Sequence, residues 1–174
     1  MMQKSAKYWI KKLELTEHPE GGYYKEVYRD DEVIKNEHLP SHFKGNRNYS
    51  TAIYFLLDGN DFSAFHKIKS DEIWHFYAGT SLIIYVIDKD GNIKKNVLGN
   101  NPEKKEELMA VIPKESWFAA KIIDNNSFSL IGCTVAPGFH FDDFELGNRE
   151  NMIRQYPEYS SLIIELTRNH KITQ

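Results

Sequence analysis

Eight short runs with strand signals follow one another between residues 51 and 135, and a turn-forming segment separates each run from the next. The separating segments carry Gly, Pro, Asn or Asp, which favour the backbone angles of turns. Many short strands without intervening helices predict an all-β sandwich or barrel rather than a parallel α/β sheet. The predicted strands cover residues 51–57, 61–67, 72–77, 82–88, 93–98, 108–112, 117–123 and 128–135.

The sequence before these strands predicts one helix, one turn, one strand and one long loop. Residues 5–15 have an imperfect amphipathic pattern that predicts a short N-terminal helix. Residues 18–22 (HPEGG) lack the lysine and the strand–loop–helix context of a phosphate loop, so they predict a turn leading into a strand over residues 23–29. The polar residues 30–48 predict a long loop or flap.

The C-terminal part differs from the rest because it predicts helices. Residues 148–156 and 159–168 form two short helical patterns, separated at Pro157. With 174 residues, the chain predicts one domain with a real core, its barrel at about residues 20–145.

Composition excludes several classes of partner. The 22 basic and 25 acidic residues leave no broad cationic surface for nucleic acid. No segment approaches the roughly 20 apolar residues that cross a bilayer, and the N-terminal residues do not resemble a signal peptide. Cys133 is the only cysteine and lies in an apolar run, which favours a buried thiol in a reducing compartment. We therefore expect a soluble cytoplasmic protein without membrane or nucleic-acid partners.

The segment from His66 to Gly79 carries the strongest functional signal. It places His66, Glu72 and His75 within ten residues on a strand–turn–strand pattern. A carboxylate and an imidazole that converge from adjacent strands can exchange protons with a ligand or hold a metal ion.

This segment resembles the first motif of the cupin superfamily, in which a His-x-His pair is followed by a glutamate and then a glycine. His66, Glu72 and Gly79 match three of its positions, whereas Ile68 stands in place of the second histidine. The second cupin motif falls on residues 113–118, where Phe118 replaces the histidine.

Three segments make the chain similar, more specifically, to the DUF985 (cupin-5) family. The resemblance implies a double-stranded β-helix, or jelly-roll barrel, in a small cytoplasmic protein that is often a homodimer. It also implies a barrel loosely similar to that of nucleotide-sugar epimerases. The aromatic N-terminal segment, which needs a partner or a barrel to cover it, adds to the expectation of a homodimer. The matching segments are residues 18–23, 70–79 and 136–147.

A metal is one of the roles that remain open for His66 and Glu72. Cupin metal centres use three histidines and one glutamate, so two retained ligands are too few for a tight divalent site. His75 completes a set only if a bulge turns it toward Glu72, because an odd offset along a strand points side chains to opposite faces.

Proton transfer is the other role of this pair. In the cupin register both groups point into an apolar barrel, where they can remove and return a proton beside a sugar carbonyl. Tyr54 or Tyr77 is the candidate acid, and Tyr54 is taken as the catalytic one. The candidates for substrate binding are His75, Trp74, Tyr77, Phe118 and Arg47.

Two further alternatives concern the same region of the barrel. His66 and Glu72 can instead form an inert buried pair. The acidic residues Asp142, Asp143 and Glu145 lie among three phenylalanines, which favours a solvated loop over one that closes the barrel mouth.

Three functions follow from the sequence. The first is a cupin that binds a small molecule such as a sugar, and that acts as a sugar or nucleotide-sugar epimerase or isomerase without a cofactor. The second is a non-catalytic metabolite-binding cupin. The third is an enzyme with a divalent metal at His66 and Glu72.

Overall fold

The computed structural model describes residues 4–168 and has the all-β fold with short terminal helices that the sequence predicts. The helices are α1 (Ala6–Leu13), α2 (Arg149–Gln155) and α3 (Ser160–Glu165). The strands are β1 (Thr16–Glu17), β2 (Tyr23–Arg29), β3 (Val33–Ile34), β4 (Arg47–Asn48), β5 (Thr51–Asp58), β6 (Phe62–Lys67), β7 (Asp71–Gly79), β8 (Leu82–Ile87), β9 (Ile93–Leu98), β10 (Met109–Ile112), β11 (Trp117–Ile122), β12 (Phe128–Ala136) and β13 (Glu145–Leu146).

Two antiparallel sheets enclose the main core. One has the strand order β1-β2-β5-β12-β7-β10, and the other has the order β13-β6-β11-β8-β9. Apolar side chains from both sheets meet between them, among them Phe55 and Trp74 from the first sheet. Leu82 and Val86, both on β8, are among those from the second. Burial of this shared apolar surface is what holds the two sheets face to face.

Most of the predicted strands are confirmed, and several short elements were missed. The strands over residues 23–29 and 93–98 have the predicted limits, whereas β1 and β13 are too short to leave a periodic signal. The predicted loop over residues 30–48 is wrong in part, because β3 and β4 pair within it.

The N-terminal helix covers the outer face of the six-stranded sheet. Its N-cap is Ser5, whose hydroxyl oxygen accepts a hydrogen bond from the backbone N–H of Tyr8. Trp9 and Tyr23 pack against the buried cluster beneath the helix. Part of the aromatic surface that suggested a homodimer is therefore covered within the chain, and the homodimer stays a prediction. The cluster consists of Ala6, Leu15, Leu56, Phe128 and Leu130.

The C-terminal helices cover the outer face of the five-stranded sheet. Met152 from α2 and Ile163 from α3 join Phe65 and Tyr85 from the sheet in a second buried cluster. Within residues 4–168, no helix is long and apolar enough to cross a membrane.

We predict that the C-terminal cover is needed for stability. Ile163 is 0 % exposed and its neighbour Ile164 is 52 % exposed. Ile163→Ala removes buried methyl groups and leaves a cavity, so it should lower the free energy of unfolding by about 2–4 kcal/mol in denaturant titrations. Ile164→Ala is the matched control and should change it by less than about 0.5 kcal/mol. Equal effects of the two substitutions would contradict this packing.

Candidate functional site

A cavity of about 360 Å³ lies between the two sheets. Its apolar and aromatic walls come mainly from β2, β5, β12 and the loop of residues 137–144, whereas its polar groups come from several different segments of the chain. The lining residues with ionisable or polar side chains are His18, Glu20, Tyr24, Glu26, Arg29, Thr51, His66, Glu72, Cys133 and His140. The apolar lining residues are Ile53, Phe55, Ile68, Val135, Phe139, Phe141 and Phe144.

Residues 18–22 bring two polar groups to the cavity that were not predicted from the sequence. Gly21 and Gly22 have φ values of 111° and 70°, which favour glycine, and the Gly22 N–H donates to Asp61 Oδ2 at 2.7 Å. A Cβ at Gly21 would lie 2.3 Å from the carbonyl oxygen of Phe62. The paired glycines therefore let this turn pack against β6 and direct His18 and Glu20 inward.

His66 is held by hydrogen bonds on both ring nitrogens. Nδ1 lies 2.7 Å from the carbonyl oxygen of Ala64, so Nδ1 carries a proton, and in the neutral ring Nε2 is the acceptor. Nε2 lies 3.1 Å from Glu20 Oε2, which satisfies both groups if Glu20 is protonated. The Ser63 hydroxyl donates to the other Glu20 oxygen at 2.8 Å. Assigned in this way, His66 and Glu20 form a neutral buried pair.

Burial favours the same protonation states. It lowers the pKa of His66 to about 3 and raises the pKa of Glu20 well above its ordinary value of 4.5. Repulsion by Glu72 raises the pKa of Glu20 further, although the Ser63 hydrogen bond and Arg168 oppose the rise.

Glu72 is the carboxyl group that titrates near neutral pH. Burial raises its pKa to about 7, and the Cys133 thiol and the Trp74 indole oppose the rise in part. The indole N–H of Trp74 is buried and has no hydrogen-bond partner of normal geometry within the described residues. Burial also raises the pKa of Cys133 well above its ordinary value, so this residue remains a thiol.

His18 is a neutral imidazole among aromatic rings. Burial lowers its pKa to about 4. Its Nδ1 accepts a long hydrogen bond of 3.4 Å from the Glu20 backbone N–H, which leaves the ring proton on Nε2. Its ring meets Tyr24 edge to face at 4.6 Å and Phe144 at 6.0 Å.

The loop that carries the cavity phenylalanines is fixed by a buried ion pair. Arg47 Nε and Nη2 donate to the two Asp143 carboxylate oxygens at 2.5 and 2.7 Å, and Lys69 lies 3.4 Å from the same carboxylate. Arg47 therefore points to Asp143 and does not line the cavity, contrary to its predicted role in substrate binding. The expected solvated loop is also wrong at Asp143, which is buried.

Three predicted site residues lie on the outer face of the six-stranded sheet. Ile53 and Phe55 face the cavity, so Tyr54 between them points outward, where its ring meets that of Tyr77 at 6.0 Å. His75 also lies on this face, and its Nε2 is 3.4 Å from the Thr134 hydroxyl. The structure does not bring Tyr54, His75 or Tyr77 to the cavity.

Two predicted binding residues belong to the core instead. Trp74 and Phe118 are each 1 % exposed and do not line the cavity. Phe118 packs against the His66 ring, with a centroid distance of 4.0 Å. Of the eight predicted site residues, the structure brings only His66 and Glu72 to the cavity.

The cupin metal positions do not fit a metal ion in this chain. Within residues 4–168, no group of three or more His, Cys, Asp or Glu side chains is placed to hold one. His66 Nδ1 donates to a backbone carbonyl and Nε2 faces Glu20, so neither nitrogen is free to ligate.

Comparison with known proteins gives the family. The family model of the cupin superfamily (DUF985) matches residues 7–147. The chain belongs to this family. Uncharacterized protein YML079W of Saccharomyces cerevisiae is 32% identical over 143 residues, which are 77% of this chain and 71% of the yeast protein.

Two solved structures are similar to this cupin in both fold and sequence. Protein SO0799 from Shewanella oneidensis is 36% identical, with a TM-score of 0.87 over 96% of this chain and 99% of that one. A hypothetical protein from Leishmania major is 31% identical, with a TM-score of 0.85 over 95% of this chain and 100% of that one. These relatives support the fold and assign no activity.

We predict that Glu72 makes stability depend on pH. The folded carboxyl keeps its proton up to about pH 7, whereas the unfolded one loses it near 4.5. The folded state therefore binds more protons in this interval, and stability falls as pH rises through it. Glu72→Gln has no carboxyl group to ionise, so its free energy of unfolding does not fall in this way. The difference in free energy of unfolding, variant minus wild type, should therefore rise by at most about 3 kcal/mol between these pH values and then remain constant.

Denaturant titrations at a series of pH values measure this difference. Glu158→Gln removes an exposed carboxyl group and is the control, for which we expect no such trend. If the difference in free energy of unfolding between Glu72→Gln and wild type stays the same from pH 4 to pH 8, the pKa of Glu72 is not raised in the folded state.

We also predict that the Arg47–Asp143 pair holds the aromatic loop. Asp143→Asn leaves the buried guanidinium without its counter-charge and should lower the free energy of unfolding by about 3 kcal/mol or more. Asp142→Asn, at the exposed neighbouring position, should change it by less than about 0.5 kcal/mol. Comparable losses for the two variants would argue against a role for the buried pair.

Proposed function

We propose that this cupin binds a small polar molecule in the barrel and moves a proton on it, as a sugar or nucleotide-sugar epimerase or isomerase does. The observation that carries the proposal is the Glu72 carboxyl group, which is buried, faces the cavity and has a pKa of about 7. A group with this pKa is present in both protonation states at neutral pH, which suits a general acid–base catalyst.

The proposed step begins with Glu72 as the base. Its carboxylate removes a proton from the carbon beside a carbonyl group, and the electron pair of the broken C–H bond moves into the carbonyl to form an enolate. The protonated Glu72 then returns a proton. Return to the carbon that lost it restores the substrate and exchanges its hydrogen with solvent. Return to the former carbonyl carbon gives the isomer, and the hydroxyl proton of the enediolate passes to the former carbonyl oxygen as the new carbonyl group forms. Apolar walls such as Ile68 and Val135 favour this proton transfer, because they offer the Glu72 carboxylate no hydrogen bonds that would stabilise its charge.

His18 is the candidate group for the developing negative charge. Its neutral ring carries a proton on Nε2 and lines the same cavity as Glu72. Donation from this N–H to the enolate oxygen stabilises the charge that forms in the transition state. His18 thus takes the role that was predicted for Tyr54.

His66 takes a positioning role in this proposal instead of a catalytic one. Both of its nitrogens are occupied, one by the Ala64 carbonyl and one by Glu20. The Nε2 atom of His66 accepts a hydrogen bond from the protonated Glu20 carboxyl group. The backbone N–H of Glu20 in turn donates to His18 Nδ1 and so orients the His18 ring.

A non-catalytic metabolite-binding cupin is the second candidate. It would use the same cavity, and a ligand would raise the stability by RT ln(1 + [L]/Kd) without turnover. Placement in the cytoplasm, where a single buried thiol remains reduced, is part of the proposal.

We expect the proposed chemistry to exchange substrate hydrogen with solvent. Incubation with a panel of aldoses and ketoses in D₂O should introduce deuterium beside the carbonyl, detected by proton NMR. Glu72→Gln should lower the exchange rate by about 100-fold or more. For wild type, the rate at low substrate concentration should rise as pH rises through about 7, because the base is the ionised form of Glu72.

The control for this assay is Glu158→Gln, which removes an exposed carboxyl group and should exchange at the wild-type rate. Ligand-induced thermal stabilisation without exchange would favour the non-catalytic candidate. No exchange and no stabilisation with any member of the panel would count against both.

A further inference from the structure

We infer that the cavity takes an uncharged molecule with hydroxyl or carbonyl groups and excludes phosphate- and carboxylate-bearing ligands. This inference rests on the proposed function and narrows its ligand class, because a nucleotide sugar or a sugar phosphate carries negative charge. The charged groups that face the cavity, and the partners that each of them already has, are the observations behind it.

Carboxyl groups outnumber guanidinium and ammonium groups in the cavity lining, and the imidazoles of His18 and His66 there are uncharged. Three carboxyl groups face the cavity, those of Glu20, Glu26 and Glu72. Among the described residues that line it, Arg29 is the single lysine or arginine. Phosphate sites in proteins are built from several cationic or backbone N–H donors, so this lining is unsuited to an anion.

The one arginine is already occupied. Arg29 Nε and Nη2 donate to the two carboxylate oxygens of Glu26 at 2.9 and 2.7 Å. Its Nη1 donates to Asn48 Oδ1 at 2.8 Å, and Nη2 also reaches the Phe139 carbonyl oxygen at 3.2 Å. The two side chains are 36% and 38% exposed, and their bidentate pairing occupies the guanidinium edge that a phosphate would otherwise bind.

The remaining walls favour an uncharged ligand. Tyr24, Phe55 and Phe144 offer aromatic surface on which the apolar face of a sugar ring can lie. His18 and Glu72 supply a donor and an acceptor for hydroxyl or carbonyl groups. The volume of about 360 Å³ lies at the lower end of the range of about 300–1,000 Å³ for small-molecule sites, which suits a compact ligand.

An anion would also conflict with the ionisation of Glu72. The pKa of this carboxyl is about 7, so it is charged in part of the population at neutral pH. A phosphate beside it would add like-charge repulsion in a cavity of low dielectric. An uncharged ligand avoids this cost in both protonation states of Glu72.

The test uses inorganic pyrophosphate and isothermal titration calorimetry on the full chain at pH 8. Wild type should show no saturable binding up to about 10 mM. Glu26→Gln keeps a side-chain oxygen as acceptor for Arg29 but removes the negative charge, so this variant should bind pyrophosphate with a Kd of about 1 mM or below. The double variant Glu26→Gln with Arg29→Gln should lose the binding that the single variant gains.

Two results would overturn the inference. One is saturable binding to wild type that Arg29→Gln abolishes, since Arg29 would then be available to an anion. The other is a failure of Glu26→Gln to gain binding, which would overturn the part of the inference that assigns the exclusion of anions to the pairing of Arg29 with Glu26.

A second assay separates this inference from the proposed function. Galactose, galactose 1-phosphate and uridine diphosphate galactose are compared in the D₂O exchange assay. Exchange on either phosphorylated compound at a rate equal to or above that of galactose would overturn the inference and leave the proposed proton transfer in place. If pyrophosphate behaves as expected while no uncharged sugar exchanges or binds, the proposed function fails and the exclusion of anions holds.

Discussion

The neutral pair of Glu20 and His66 is the interaction on which the site depends. Both groups are buried, and either charge alone would be costly in this setting. The hydrogen bonds from Ser63 to Glu20 and from His66 to the Ala64 carbonyl determine which atoms carry protons. Because the pair is satisfied internally, it does not compete for a ligand, and Glu72 is left as the carboxyl that faces the cavity and changes its charge near neutral pH.

This pair also connects the site to the rest of the fold. The Glu20 carbonyl oxygen accepts hydrogen bonds from the Ala64 N–H at 2.9 Å and from Arg168 Nε at 3.0 Å. Arg168 follows α3 and also donates to Asp61, which holds the Gly22 N–H. Glu20 therefore connects the turn of residues 18–22, β6 and the segment after α3. A change that loosens the C-terminal helices would reach the cavity through this short hydrogen-bond network.

Strand alternation and turn residues are local signals, so they were sufficient to predict an all-β sandwich or barrel, whereas the jelly-roll barrel followed from the resemblance to the cupins. The cupin motif also predicted that His66 and Glu72 face one cavity, although β6 and β7, which carry them, belong to different sheets. Alternation alone could have excluded Tyr54, which stands between two inward-facing apolar residues. His18 and Glu20 had no periodic signal, because they lie in a turn; the paired glycines after them were the available sign of a close backbone approach. The partners of Arg47 depend on a contact across 96 positions, which no local pattern encodes.

Ile68 and Phe118 stand at two cupin ligand positions. They cannot bind a metal ion, and they also change the surroundings of the ionisable groups. Phe118 packs on the His66 ring and Ile68 lines the cavity, so both reduce the access of water to the ionisable groups. A divalent ion would require an ionised Glu72 and a histidine nitrogen with a free lone pair. Here the same burial raises the pKa of Glu72, lowers that of His66 and leaves His66 bonded to Glu20. The replacement of metal ligands by apolar side chains thus produces the conditions under which a carboxyl group can act as an acid and a base without a metal.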